Sequence, residues 1–156
     1  MKISAGILPY IKEGDQILVL LGHMGGPIYK DIQDSYGIIK GEIDDINELP
    51  IKAAIREFKE ETTELIDESR LIFIGESMQR SDKKNIIYGI NEYFDTSNWT
   101  SNEFLLEWPK NSGNIHHYPE MDDYKWIKIE EAKRLIRKTQ LEILEILEEK
   151  LKKESD

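Results

Sequence analysis

The chain has no cysteine, few histidines and a deficit of positive charge. Without cysteine there is no disulfide framework, no thiolate zinc site and no thiol nucleophile. The histidines, His23, His116 and His117, have no partner at metal-ligand spacing, so a zinc pair at His116-His117 is set aside. No apolar run approaches the ~20 residues of a membrane-spanning helix. The opening Met1-Lys2-Ile3-Ser4-Ala5-Gly6 lacks the apolar core of a leader peptide and reads as a strand, so a cytoplasmic location is expected. With 21 basic against 31 acidic residues the net charge is −10, a surface that repels a nucleic-acid backbone. Long DNA or RNA is therefore not the expected ligand. A small phosphorylated molecule is compatible with that charge if a divalent cation bridges its phosphates to the acidic side chains.

What is present fits one globular unit. The 156 residues, 39% of them apolar, suffice for one domain spanning 1–156 with a core of its own. Residues 2–11 and the continuous apolar run Ile17-Leu18-Val19-Leu20-Leu21 predict a hairpin about the Glu13-Gly14-Asp15 turn, the second strand covered on both faces. Gly25-Gly26-Pro27 reads as a turn, and Tyr36-Gly37-Ile38-Ile39 as a short strand. A helix from Pro50 to about Glu64 follows, then strands at 71–75, 85–94 and 124–129. Residues 95–123 lack periodicity and read as a long loop of the kind that borders binding sites. Helical character runs from Glu130 to Lys152, interrupted near Thr139, with Leu141, Leu144, Leu147 and Leu151 on one face. Periodicity alone supports a mixed α and β fold.

The helix at 50–64 carries the chemistry. At about 100° per residue, Glu57, Glu60, Glu61 and Glu64 fall within one arc, while Ile51, Ala54, Ile55, Phe58 and Thr62 form a separate apolar stripe. Like charges at this spacing repel by a few tenths of a kcal/mol per pair, and a cation between them reverses the sign. Grouped hard oxygens suit Mg²⁺ or Mn²⁺. The competing reading is a solvated acidic face.

The surrounding residues decide between the two. Gly41, Glu48, the seven-residue spacer, Arg56-Glu57, Phe58 and Glu60-Glu61 resemble the signature of the Nudix hydrolases. Two positions depart from it. Six residues rather than five separate Gly41 from Glu48, so either the loop holds an extra residue or Asn47 takes the position; keeping Glu48 preserves the spacer. Thr63 replaces the closing glycine, and the helix is expected to run on through Glu64 before turning. Further pieces, Ser4-Ala5-Gly6, Lys40-Gly41-Glu42, Glu107-Trp108-Pro109 and Tyr118-Pro119-Glu120, resemble a little-characterised branch of the family.

The resemblance implies an α/β/α sandwich with a mixed β-sheet. It also implies a Mg²⁺- or Mn²⁺-dependent pyrophosphohydrolase that cleaves a phosphoanhydride in a nucleoside diphosphate-linked substrate. The alternative is a nucleotide-binding or regulatory module that has lost activity; the intact Arg56-Glu57 and Glu60-Glu61 pairs oppose it. By the same resemblance Glu60 and Glu61 are the principal metal ligands, Glu57 completes the site, the Gly41 carbonyl contributes, and Arg56 orients a carboxylate. Glu48 is included, with a structural role near the helix N-terminus as its other reading. The general base is left among Glu92, Glu103, Glu107 and a signature glutamate. Lys40 is a candidate for a phosphate contact, and Tyr29 and Trp108 for stacking on a base.

Overall fold

In the computed structural model, which describes residues 1–155, the strands are β1 (Lys2–Glu13), β2 (Gln16–Met24), β3 (Tyr36–Gly37), β4 (Ile39–Glu42), β5 (Leu71–Arg80), β6 (Lys83–Asn91), β7 (Glu103–Glu107), β8 (Ile115–Pro119) and β9 (Met121–Lys128). The helices are α1 (Pro50–Thr62), α2 (Ile129–Leu135) and α3 (Leu141–Ser155). β1 organises the main sheet. Its first half pairs antiparallel with β4 (Ser4 opposite Glu42, Ile7 opposite Ile39), and its second half with β2 (Tyr10 opposite Val19). On the other edge it runs parallel to β6, which pairs antiparallel with β5. β3 and β9 both pair with β2, giving a mixed seven-stranded sheet.

Helices cover both faces, which explains the unbroken apolar run in β2. Ile17, Val19 and Leu21 join Leu8 and Tyr10 under α2 and α3, packing on Ile143, Leu144, Leu147 and Leu151. Leu20 points the other way, with Ala5, Ile7 and Ile39, under Ala53, Ala54 and Phe58 of α1. Phe58 meets Phe94 and Trp99 edge-on or tilted, with ring centroids 5.5 and 5.7 Å apart. The fold is thus the expected α/β/α sandwich. Residues 138–140 form a 3₁₀ turn between α2 and α3, at the predicted interruption.

Two local expectations need correction, at residues 95–123 and at the end of α1, and the turn before Glu48 takes a definite form. The 95–123 segment is not a loop throughout: β7 and β8 pair in a hairpin separate from the main sheet, with Phe104 opposite Tyr118 and Leu105 opposite His117. Hairpin pairing is satisfied across strands, so it left little period in a segment so rich in polar and turn residues. The extra residue before Glu48 is absorbed in a turn: the Asp45 side chain accepts from the Asn47 N–H at 2.9 Å, its carbonyl accepts from the Glu48 N–H at 2.9 Å, and Ile46 is expelled at 96% exposure.

The second correction is that α1 stops at Thr62. Thr63 adopts the left-handed conformation, φ 68° and ψ 0°, and its N–H closes the helix on the Lys59 carbonyl. A threonine occupies the backbone state that glycine takes freely, helped by Thr62, whose hydroxyl donates to the Phe58 carbonyl at 2.6 Å and accepts from the Glu64 N–H at 3.1 Å. Thr63→Gly is therefore expected to stabilise the protein by about 1 kcal/mol, read as a higher urea midpoint at unchanged slope. A lower midpoint would show that the Thr63 side chain contributes more than its backbone conformation costs.

Candidate active site

Glu61 at the end of α1, Ile39 and Lys40 of β4 and the junction of β8 with β9 line one cavity of about 440 Å³; Gly41, Glu57 and Glu60 stand outside its lining. Arg56 organises the helix side. Its Nε and Nη2 donate to the two Glu48 carboxylate oxygens, each at 2.9 Å, and Nη1 donates to Glu57 at 2.8 Å and reaches Glu60 at 3.5 Å. Such a bidentate pair has the fixed geometry that guanidinium and carboxylate share. It holds Glu48 below the usual carboxylate range through the hydrogen bonds from Arg56. Glu48 is thereby a brace for Arg56, ahead of the helix.

Glu57 is turned onto Gly41. A Cβ at that glycine would collide with the Glu57 carboxyl group, so a side chain there would displace that carboxylate from its place over the strand. Burial raises the Glu57 pKa, Arg56 opposes that through a hydrogen bond and its charge, and Glu60 and Asp44 add to the rise. Glu60 is exposed on the helix surface. Glu61 is the opposite case, only 8% exposed. Its oxygens accept from the Ser101 hydroxyl at 2.7 Å and the Asn102 N–H at 3.4 Å. Glu64, beyond Thr63, leaves the group; its carboxylate accepts from the Trp99 indole N–H at 3.4 Å.

An acid that the sequence reading did not single out completes the site. Glu120, between β8 and β9, lines the cavity with Glu61. Its pKa is raised by partial burial, then by the charges of Glu61 and Glu57. Of the three candidate bases named from sequence, Glu92 is paired with Arg70, Glu107 accepts from the Asn111 and Gly113 N–H groups of the hairpin turn, and Glu103 is exposed on β7; none lines the cavity. In the sequence Glu120 entered only as the end of Tyr118-Pro119-Glu120, one of the short pieces that resemble a branch of the family, with no role assigned to its acid. Its position depends on the turn at Gly25, whose N–H donates to the Glu120 carbonyl at 2.9 Å. A Cβ on Gly25 would run into the Pro119 carbonyl oxygen, so this turn needs glycine for a steric reason.

The remaining walls differ in character. Lys40 lies beside Gln79, whose amide oxygen its Nζ approaches at 3.3 Å, and burial pushes the Lys40 ammonium down to about 8, with Lys83 adding to the effect and Glu42 opposing it. At the far end Tyr29 carries the Arg137 guanidinium over its ring at 5.3 Å, beside Thr139 and Gln140 of the 3₁₀ turn. Gln140 is buried and accepts from the Ile38 N–H at 2.8 Å. Phe104 reaches in from the hairpin. Trp108 sits towards the hairpin tip and does not line the cavity.

Among the described residues, no three carboxylate or imidazole side chains stand close enough to enclose a metal ion as they are placed. Arg56 draws Glu57 and Glu60 to one side, while Ser101 and Asn102 hold Glu61. The donor set nonetheless suits a hard divalent cation: it consists of oxygens, and Glu57 and Glu61 already raise the proton affinity of Glu120 across the gap. A cation there would relieve the repulsion that now favours a proton.

A family model, the NUDIX domain, matches residues 1–148. A comparison with curated proteins finds no match. Solved structures of similar fold include the binary complex of a C. elegans Ap4A hydrolase, at 20% identity and TM-score 0.62, covering 97% of this chain and 98% of that one. The NUDIX domain of Shewanella oneidensis NrtR, complexed with ADP ribose, is 14% identical at TM-score 0.61, covering 96% and 87%. The E. coli ORF135 protein is 16% identical at TM-score 0.58, covering 94% and 89%. At such identities the structures establish a shared fold.

Proposed function

The chain belongs to the Nudix family; from that premise we propose that it is a pyrophosphohydrolase that cleaves, with Mg²⁺ or Mn²⁺, a phosphoanhydride bond in a small nucleoside diphosphate-linked substrate. The observation that carries this reading is one cavity lined by Glu61, Glu120, Lys40, Tyr29 and Arg137, with the Arg137 guanidinium over the Tyr29 ring. That combination suits a substrate whose anhydride lies against the acids and whose remaining phosphate meets Lys40. The nucleoside then lies towards Tyr29. Ap4A and ADP ribose, named with two of the similar structures, both carry phosphoanhydrides joined to a nucleoside.

Glu57, Glu60 and Glu61, with the Gly41 carbonyl, are the residues assigned to the cation. When bound it would neutralise phosphate oxygens and make a water more acidic. Glu120 is assigned the proton: it lines the cavity together with Glu61, where its carboxylate accepts the proton from the attacking water. Oxygen bonds to phosphorus, the bridging P–O bond breaks, and the departing phosphate carries the electron pair. Arg56, engaged by Glu48, Glu57 and Glu60, is assigned to orienting carboxylates.

A panel of nucleoside triphosphates, dinucleoside polyphosphates and nucleotide sugars tests this, with nucleotide and phosphate products followed by chromatography. Product release that needs Mg²⁺ or Mn²⁺, stops with chelator and returns on re-addition is the expected result. Nucleotide binding with no turnover on any substrate would instead favour a non-catalytic module built on the same cavity.

A further inference from the structure

We propose that Ser101 is a positioning residue, its hydroxyl fixing the Glu61 carboxylate against the root of the β7–β8 hairpin and so registering the α1 acids with Glu120. The proposal rests on the reading of Glu61 as a cation ligand and Glu120 as the base. Ser101 Oγ has one proton and two lone pairs. It accepts from the Met121 N–H at 3.0 Å and donates to Glu61 Oε1 at 2.7 Å. Its contact with the Asn102 carbonyl is longer, 2.9 Å, and that carbonyl already accepts from the Glu120 N–H at 2.7 Å. The carboxylate charge and the shorter distance direct the proton to Glu61.

Both Glu61 oxygens are thus held by consecutive residues, the second by the Asn102 N–H. These two residues also hold the backbone on either side of Glu120's own carbonyl, through the Glu120 and Met121 N–H groups. One short segment therefore spaces two acids that come from different parts of the chain. A carboxylate as buried as Glu61 needs such donors, since an unpaired charge out of water is costly. The neighbouring Tyr124 hydroxyl, buried beside Ser101 and Glu61, makes no hydrogen bond to Glu61 in this arrangement. Ser101 stands at the base of the hairpin that also brings Phe104 to the cavity, so the substrate-facing wall and the acid pair share one root.

The test compares Ser101→Ala, Ser101→Val and Ser101→Thr with wild type and Glu61→Gln. Mn²⁺ affinity is measured by titration with electron paramagnetic resonance of free ion, and steady-state rates are measured separately. Loss of an outer hydrogen bond of this type weakens metal binding about 10-fold or more. Ser101→Ala and Ser101→Val should show that loss and a reduced kcat at little-changed KM. Ser101→Thr, close in shape to valine but with a hydroxyl, should restore both. If Ser101→Ala fails to fold, the Val and Thr pair carries the comparison. Mn²⁺ affinity within twofold of wild type in Ser101→Val, alongside loss in Glu61→Gln, would overturn the role of Ser101 and leave the site reading standing. Wild-type Mn²⁺ affinity in Glu61→Gln would overturn the site reading and this inference with it.

Discussion

Glu61→Gln is expected to lower kcat by about 10²–10³-fold, the size associated with removing one element of transition-state charge stabilisation. The substitution keeps the shape of the side chain and one oxygen for the Ser101 hydroxyl, so the fold should persist. Glu64→Gln supplies the contrast. It removes the same charge from a neighbouring position, but Glu64 lies past the left-handed Thr63 and faces the Trp99 indole. Its loss should be within a few-fold. Steady-state assays at saturating Mg²⁺, with circular dichroism to verify folding, distinguish the two. Equal losses would mean that acidity along this helix matters in general, and the assignment of Glu61 would fall.

The second large effect is expected at Glu120. Removing a general base commonly costs 10²–10⁴-fold, and Glu120→Gln should lose that much of kcat while Mn²⁺ affinity falls far less than in Glu61→Gln. Glu92→Gln, Glu103→Gln and Glu107→Gln serve as comparators. Glu92 is engaged by Arg70, Glu107 by the hairpin turn, and Glu103 lies exposed on β7. None should change kcat by more than a few-fold. A nearly active Glu120→Gln beside an inactive Glu103→Gln would move the base onto the hairpin and require the cavity wall to rearrange on substrate binding.

The two substitutions differ in how legible their positions were. Glu57, Glu60 and Glu61 could be read from spacing because a helix converts sequence intervals into directions. The same holds for Ala54, Phe58 and Thr62 of the apolar stripe of α1, though Ile51 and Ile55 are only partly buried and Ala53 joins the core, for the Ile17–Leu21 strand covered on both faces, and for the break between α2 and α3. Gly41 was legible as a signature glycine. Its physical reason, room for the Glu57 carboxylate, appeared only when helix and strand were seen packed together.

What the sequence determined by itself was the signature helix, its acids, the succession of strands and helices outside residues 95–123, and an overall charge that fits a small phosphorylated ligand better than nucleic acid. The tertiary structure decided which acids meet. Glu120 joins Glu61 because β9 pairs with β2 while α1 covers the opposite part of the same sheet, and no local interval encodes that distance. It also decided that Thr63 turns left-handed and that Ile46 is expelled into solvent. Each depends on whether nearby hydrogen bonds and packing offset a locally unfavourable state. Local periodicity reports the direction of a side chain within its own element; the meeting of two side chains depends on how the elements pack, which is a property of the whole core.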